Sequence, residues 1–223
     1  MSRVAIVAAL PREIAALVRG TKPDAGLLRQ GIHLHEIGSA VVVAGGMGAT
    51  RVTRAVQAAL ARADVAMLVS VGLAGACSAE VAAGSLVEAG EVVDALTGER
   101  FATESAGPVL ATIGAIASVQ EKARLLAAYG AAAVDMEAAT VGRLARAHGL
   151  TFRAVKGISD AHDFELAALE RFTGKHGHFR TRAFALHTAL RPHRWTKTAK
   201  LGRDSGRALA AMTAALQVDL RER

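Results

Sequence analysis

Residues 134–160 of the chain read VDMEAATVGRLARAHGLTFRAVKGISD, and their pattern indicates the fold class. Within it, apolar residues between 137 and 149 recur at helical spacing, and Gly149 provides a helix end. Residues 151–161 then form a largely apolar run that predicts a buried strand. A helix leading directly into a strand is typical of a layered α/β protein.

The same alternation runs through the residues that precede this stretch. Short apolar runs predict strands at 4–10, 33–38, 41–46, 65–72, 85–94 and 109–118. Helical spacing predicts helices from Pro11 to near Gly20, at 49–63 and at 119–130. The pattern therefore predicts an α/β fold whose sheet is mixed or largely parallel.

Composition restricts the class of protein. Of the 223 residues, 52% are hydrophobic and one is a cysteine, Cys77. A single cysteine excludes an internal disulfide framework and fits a reducing, cytoplasmic compartment; its apolar surroundings favour a packed thiol. The apolar start resembles a signal peptide, but Pro11, Arg12 and Glu13 interrupt it early and favour a strand followed by a helix.

Charge divides the chain into two sections. Residues 1–170 carry 15 Lys and Arg against 17 Asp and Glu, whereas residues 171–223 carry 12 against 3. We therefore expect a catalytic domain over 1–170 and a basic helical extension over 171–223. Three interpretations of the extension stay open: a solvated basic face, a site for nucleic acid, or a helix packed on the domain through an apolar stripe formed by Leu201, Leu209, Met212, Leu216 and Leu220. No recognised nucleic-acid module accompanies it, so we expect no nucleic-acid partner.

Candidate ligand-binding residues follow predicted strands. Ligands of open α/β sheets bind at the carboxyl ends of strands, where Glu13, Asp160 and two glycine-rich turns are expected to lie. The turn GGMGATR, 45–51, lacks the third glycine of a dinucleotide fingerprint, so no such cofactor is expected. Glycine at Gly48 or Gly72 would instead let the backbone approach a small polar ligand.

Other chemistries find little support in the sequence. His33, His35, His162 and Asp163 do not form a set of converging ligands, so no metal is expected. The segment SDAHD, 159–163, is equally interpretable as an acidic turn that caps a following helix. The sequence has no Gly-x-Ser-x-Gly motif, which argues against acyl transfer, and no glycine-rich stretch followed by Gly-Lys, which argues against nucleoside triphosphate hydrolysis.

In order and content these fragments resemble the purine nucleoside phosphorylase and nucleosidase superfamily. The resemblance rests on VAIVAALPREIAAL, GGMGAT, LVSVGLAGACSAEVAAGSLVEAGEVVD and AVDMEAATVGRLARAHGLTFRAVKGISDAHD, which cover most of residues 3–163. The pairing of VDMEA with a downstream ISD is its most specific element. It implies a three-layer α/β/α fold and cleavage of a purine N-ribosidic bond.

The resemblance also implies roles for individual residues. Glu137 matches the carboxylate that binds the ribose hydroxyls, with Met136 against the sugar. Asp160 matches the general acid that protonates the departing purine, and Glu13 matches the glutamate that orients and deprotonates water in methylthioadenosine/adenosylhomocysteine nucleosidases. Asp135 is then a helix-start acid. The remaining expected contacts with substrate come from Gly48, Gly72, Ser159 and Ile116, with Ala117 beside Ile116 at the base.

The resemblance leaves the nucleophile open between water and phosphate. Phosphorylases of the superfamily carry arginine in place of Glu13, and another arginine and a serine near the second glycine turn. The resemblance places Ser70 and Leu73 of this chain at those latter two positions. Losing both cations makes a phosphate dianion costly to bind, which favours water. Arg12 or Arg51 could substitute, so phosphorolysis stays an alternative.

The basic segment resembles the carboxyl-terminal part of the hopanoid-associated branch of the superfamily. That branch is linked to conversion of adenosylhopane to ribosylhopane with release of adenine. Phe179, Phe184 and Trp195 lie among basic residues and could contact anionic headgroups at the inner face of the cytoplasmic membrane. A homodimer is expected because dimers are common among the nucleosidases. An ordinary nucleoside phosphorylase, a methylthioadenosine nucleosidase, and an inactive nucleoside-binding or membrane-docking protein are the alternatives.

Overall fold

The structure, a computed structural model, describes residues 3–166 and 195–222. Ten strands lie within these residues: β1 Arg3–Ala8, β2 His33–Ile37, β3 Ala40–Ala44, β4 Val65–Ala76, β5 Leu86–Glu88, β6 Glu91–Asp94, β7 Arg100–Ala102, β8 Val109–Thr112, β9 Ala131–Asp135 and β10 Thr151–Asp160. The helices are α1 Pro11–Ile14, α2 Ala25–Leu28, α3 Ala49–Arg62, α4 Val119–Tyr129, α5 Ala138–Ala147 and α6 Trp195–Glu222.

The strands form one mixed, largely parallel sheet. Its main order is β2-β3-β1-β4-β9-β8-β6-β7, and β10 pairs with β4 and with β5. Parallel pairing joins β1 to β3 and β4, β4 to β10, and β8 to β6 and β9. The antiparallel pairs are β2 with β3, β5 with β10, β4 with β9 and β6 with β7.

Helices cover both faces of this sheet. Along β1, Ala5 and Val7 belong to one buried cluster, which includes residues of α3 and α5. Val4 and Ile6 point to the opposite face and pack in a cluster with residues of α1 and α6. Alternate strand residues therefore contribute to separate cores, which gives the three-layer α/β/α arrangement and confirms the predicted fold class.

Helix α6 packs on the strand that ends at Asp160. Its Met212 and Leu216 are buried at 0% and 2% exposure, so the apolar stripe predicted from the sequence packs on the sheet. Arg153 of β10 binds Asp219 at 2.7 Å. The division into a domain over 1–170 and an extension over 171–223 stays a proposal, with residues 195–222 of the extension packed against the sheet.

Several elements differ from those predicted. Strand β4 continues through the predicted turn at Gly72 to Ala76, because β10 pairs with it as far as Gly75 and β9 pairs with Gly75 and Ala76. The single strand expected at 85–94 divides into β5 and β6, because the backbone of Gly107 packs directly against Gly90. The strand expected at 109–118 ends at Thr112, and its remaining residues form a loop. Strand β9 lies in an alanine run that carried no strand signal, since alanine has low strand propensity.

None of the helices in the described segments combines the length and the apolarity that a bilayer crossing requires. Phe179 and Phe184, predicted to face a membrane, lie outside the described residues.

Candidate active site

A cavity of about 500 Å³ opens at the carboxyl ends of several strands. Residues after β1, at the end of β4, at β9 and at the end of β10 line it, together with the loop after β8 and one side of α6. Three acids that are remote in sequence, Glu13, Glu137 and Asp160, all line this one cavity. The volume lies within the range of small-molecule sites, roughly 300–1,000 Å³.

Glu13 is held at the cavity by main-chain donors. Pro11 begins the short helix α1 directly after β1, and Glu13 reaches back to accept a hydrogen bond from the Leu10 N–H at 2.8 Å. Its other oxygen accepts from the Leu73 N–H at 3.3 Å. Burial raises the pKa of Glu13, and these two hydrogen bonds oppose the rise. The carboxyl group is therefore fixed in place and has a greater proton affinity than an exposed glutamate.

Glu137 occupies the junction between β9 and α5. Its Oε1 accepts a hydrogen bond from the Gly48 N–H at 3.0 Å. Gly48 has a φ of +86°, a conformation that glycine adopts without strain. Burial and the neighbouring carboxylate of Asp135 raise the pKa of Glu137 to about 7. The glycine turn thus serves to orient an acid in the cavity.

Asp135 sits deeper, in a buried polar network. It accepts hydrogen bonds from the Thr112 hydroxyl at 2.6 Å and from the Ala138 N–H at 2.9 Å. It also pairs with the ammonium group of Lys156 at 2.9 Å, and Lys156 donates to the Ser70 hydroxyl at the same distance. Asp135 thus binds the first turn of α5, as expected for a helix-start acid, and the positive charge of Lys156 opposes the raised pKa values of Glu13 and Glu137.

Asp160 ends β10 with only 2% of its surface exposed. One oxygen pairs with the Lys122 ammonium group, and the other accepts a hydrogen bond from the Ser159 hydroxyl. Burial raises the pKa of Asp160, while Lys122 and the Ser159 hydroxyl oppose the rise. A Cβ at Gly75 would lie 3.0 Å from the Asp160 carboxylate and 3.1 Å from the Lys122 side chain, closer than ordinary contacts, so glycine at this point of β4 leaves room for the pair.

Most of the remaining predicted contacts also lie at the cavity. Met136, Ser159, Ile116 and Ala117 line it. Gly48 is adjacent through its bond to Glu137. Gly72 is not among the lining residues, because the Glu13 carboxyl group lies against it: a Cβ added at Gly72 would be 3.1 Å from Glu13 Oε2. The structure thus places Gly72 behind an acid of the cavity.

The site also includes residues that the sequence analysis missed. Lys122 and Leu166 line the cavity, and Lys156 lies behind its acids. Lys156 could have been found from the sequence, because a lysine within a strand predicted to be buried indicates a buried charge. Lys122 gave no such signal, because it lies in an ordinary amphipathic helix. Leu201 and Leu209 of the predicted α6 stripe contribute a wall, which that stripe did not reveal.

The described residues offer neither a cluster of metal ligands nor a reactive thiol. Within 3–166 and 195–222, no three His, Cys, Asp or Glu side chains are grouped so that they could hold a metal ion. Cys77 is buried, and burial raises the pKa of its thiol to about 12. A thiol with that pKa stays protonated and is a poor nucleophile.

Comparison with known proteins agrees with this fold. The sequence model described as Phosphorylase superfamily matches residues 99–190, less than half of the chain. A search of the curated proteins finds no match.

Solved structures match over most of the chain. The 5′-methylthioadenosine/S-adenosylhomocysteine nucleosidase of S. pneumoniae, with a transition-state inhibitor, has a TM-score of 0.65 at 21% identity, covering 96% of this chain and 99% of the other. The Helicobacter pylori nucleosidase of the same name, with butyl-thio-DADMe-Immucillin-A, has a TM-score of 0.63 at 17% identity, covering 85% and 98%. Helicobacter pylori futalosine hydrolase has a TM-score of 0.62 at 19% identity, covering 85% and 97%. At these identities the matches show that the chain has the fold of these nucleosidases.

Proposed function

We propose that this protein cleaves the N-ribosidic bond of a 5′-substituted adenosine and releases adenine. One observation carries the proposal: Glu13, Glu137 and Asp160 line a single cavity of nucleoside size. The nucleosidase fold supports it, because structures of that fold bind inhibitors of adenosine-like form.

The three acids suit the three tasks of this reaction. N-Ribosidic cleavage passes through a transition state with oxocarbenium character, so the departing base needs a proton. Asp160 would donate it, because burial raises its pKa. Glu13 would orient and deprotonate the attacking water, and Glu137 would accept hydrogen bonds from ribose hydroxyls that strengthen as positive charge develops. Met136 would pack against the sugar, and Ile116 against the base.

Water is the nucleophile that the charges of the cavity favour. Among the described residues, the cavity wall has two cationic side chains, Arg12 and Lys122, and Lys122 is paired with Asp160. Arg51 lies against Gly46 and is not in the wall. With Lys122 paired, a phosphate dianion would meet the Arg12 guanidinium and four carboxyl groups of the described wall, those of Glu13, Asp135, Glu137 and Asp160, which makes its binding costly.

Arg12 nevertheless gives phosphorolysis a specific observation in its favour, because its side chain lines the cavity beside Glu13. A phosphorylase would require inorganic phosphate, which bonds to the anomeric carbon as the bond to the base breaks, and would release the sugar 1-phosphate and adenine. A hydrolase would produce the free sugar in phosphate-free buffer at an undiminished rate.

The wall formed by α6 supports an apolar 5′ substituent. From α6, Leu201, Gly202, Ser205, Gly206 and Leu209 line it, and Leu166, which lies outside this helix, lines the same cavity. A neighbouring groove of about 660 Å³ runs between α1 and α6 and shares Arg12, Glu13, Gly206 and Leu209 with the cavity. This groove combines apolar residues, Leu17, Leu209, Ala210 and Ala214, with polar ones that include Arg19, Thr213 and Gln217, and it offers room for a bulky 5′ substituent. Together with the sequence resemblance of the basic segment, this room leads us to propose adenosylhopane as substrate and ribosylhopane as product, in hopanoid biosynthesis.

Product analysis with adenosine, methylthioadenosine and adenosylhopane side by side tests the proposal. We expect adenine release without phosphate, with the greatest kcat/KM for adenosylhopane. Strict dependence on phosphate would replace hydrolysis by phosphorolysis, and a preference for methylthioadenosine would refute the lipid substrate. Release of adenine from none of the three would refute the proposed reaction.

A lipid substrate also leads us to propose peripheral docking of a homodimer at an anionic membrane surface. Residues 171–223 supply the positive charge. Flotation with liposomes tests docking, using the intact chain and a full-length variant in which Arg180, Arg182, Arg191 and Arg194 are changed to Gln. A chain truncated before α6 is unsuitable because Met212 and Leu216 pack in the core. Equal flotation of both proteins would refute a role for these charges. The molar mass in solution, measured by light scattering, tests the homodimer, and a monomer mass would refute it.

A further inference from the structure

Lys122 is a fully buried cation in the wall of the cavity. It extends from α4, and 1% of its side chain is exposed. Its ammonium group pairs with Asp160 and donates to the carbonyls of Ala161 at 2.9 Å and Phe164 at 3.1 Å. These three acceptors match the three N–H donors of a lysine, so the buried charge is completely solvated by the protein.

The three contacts join the acid to the segment that follows it. Lys122 holds one oxygen of Asp160, and Ser159 holds the other, so the plane of the carboxyl group is fixed from both sides. The two carbonyl acceptors belong to the turn after β10, which leads to Leu166 in the cavity wall. Lys122 therefore fixes both the orientation of Asp160 and the shape of the adjoining wall.

We propose that Lys122 is the positioning residue for Asp160 in the base-release step, an inference that rests on the proposed function. In that step Asp160 gives its proton to a ring nitrogen of the purine, and the electron pair of the breaking N-ribosidic bond goes to the base. The water that bonds to the anomeric carbon loses its proton to Glu13. Asp160 becomes a carboxylate, and the adjacent ammonium of Lys122 stabilises the negative charge that it acquires.

Other titratable groups lie around this pair. Cys77, at the end of β4, interacts with Lys122, Asp160 and Glu121. Glu165 accepts a hydrogen bond from the Val119 N–H at the start of α4, and His162 and Asp163 are exposed in the turn. Because Lys122 and the Ser159 hydroxyl are the groups that oppose the raised pKa of Asp160, loss of the ammonium should raise that pKa further.

The first test measures adenine release by Lys122→Met and Lys122→Ala. We expect kcat to fall about 100-fold in both, the scale of loss that follows small misplacement of a catalytic group. The high-pH limb of the rate profile, which follows loss of the Asp160 proton, should move to higher pH. Propylammonium should restore part of the Lys122→Ala rate, and the neutral propan-1-ol should not. Cys77→Ala is the matched control, because it alters packing beside the pair without changing charge.

Two results would overturn the inference. One is a pH–rate profile of Lys122→Met whose limbs lie at the same pH values as those of the wild type. The other is equal restoration of the Lys122→Ala rate by propylammonium and by propan-1-ol. A second measurement is independent of turnover. Titration of the Asp160 carboxyl carbon by NMR should give a higher pKa in Lys122→Met than in the wild type and Cys77→Ala, and an unchanged titration would refute the inference. Absence of adenine release by the wild type would instead refute the proposed function, while the NMR titration would still decide the role of Lys122.

Discussion

At the scale of single residues, the cavity concentrates buried carboxyl groups. Glu13, Glu137 and Asp160 are at most 9% exposed, and burial raises the pKa of each. Desolvated acids reduce the stability of the fold when they ionise. Neutral side chains at these three positions would make the fold more stable. The presence of acids therefore indicates that the site serves a function other than stability.

Glu137→Gln should make the protein more stable at alkaline pH. The pKa of Glu137 is about 7 in the folded chain, above the ordinary value of 4.5. A raised pKa favours the folded state at pH values below 4.5, and this contribution is lost as pH rises through 7. We expect the variant to exceed the wild type by up to about 3 kcal/mol at pH 8.5 and by little at pH 4.5. Urea unfolding at both pH values measures the difference.

Glu36→Gln provides a control of opposite sign. Glu36 is exposed, and its hydrogen bonds with Arg3 and Arg62 lower its pKa. Its contribution to stability is present above the ordinary pKa of glutamate and lost as pH falls below it, so this variant should not be stabilised at pH 8.5. The same pH dependence in both variants would contradict the assignment of the effect to the burial of Glu137.

The residues of the site were predictable to the extent that their segments carried a motif. Glu137 and Asp160 stand in VDMEA and ISD, and Glu13 follows the first strand, so each had a local signal. Lys122 had none, because a lysine on an amphipathic helix is normally exposed. Its burial depends on the turn after Asp160 folding over it, which only tertiary contacts determine.

At the scale of elements, the crossing of α6 over β10 sets one wall of the cavity. The two elements are in direct contact where Gly157 faces Ala208: a Cβ added at Gly157 would lie 2.9 Å from both the side chain and the carbonyl oxygen of Ala208. The same helix carries Leu201 and Leu209 in the cavity wall. A shift of α6 on the sheet must therefore alter the cavity.

Gly157→Ala should reduce both stability and substrate affinity. The added methyl group has no space, and overpacking of this kind costs about 1–3 kcal/mol. Because α6 must move, we expect KM for the 5′-substituted substrate to rise several-fold while kcat changes less. Chemical denaturation and steady-state kinetics measure the two effects.

Gly114→Ala is the matched control for this variant, since a Cβ at Gly114 would contact nothing within 4 Å. It should leave stability and KM near their wild-type values. Wild-type behaviour of Gly157→Ala would show that α6 is not held by this close contact.

Elements with strong periodicity were predicted closely, and those that depend on neighbouring strands were not. Helices α3, α4 and α5 and strands β2, β3 and β10 lie within a residue or two of their predicted positions. Strand β9 was missed because its alanines form a strand only through pairing with β8 and β4. The turn expected at Gly72 is a strand for the same reason, since β10 supplies a pairing partner.

At the scale of the whole molecule, the topology brings remote residues together. Strands β1 and β10 run parallel to β4, so Glu13, which follows β1, and Asp160, which ends β10, meet at one edge of the sheet. Glu137 reaches the same cavity from β9, whose end pairs antiparallel with the end of β4. The meeting of Glu13 and Asp160 was predictable from the order of strands and helices, whereas Glu137 follows β9, which the sequence analysis missed, and its place at the site was implied by the family resemblance. The wall contributed by α6 was not predictable, because nothing in a carboxyl-terminal helix indicates which part of the sheet it will cover.

Whether the three acids form one catalytic site is measured by the rate of adenine release in Glu13→Gln, Glu137→Gln and Asp160→Asn, each compared with the wild type. Asp163→Asn is the control, because Asp163 is exposed in the turn just beyond Asp160. If the three acids act on one nucleoside, each of the first three variants should lose at least about 100-fold in kcat/KM, and the control should retain its rate. A wild-type rate in any of the three, with the wild type active, would contradict the claim that they form one catalytic site.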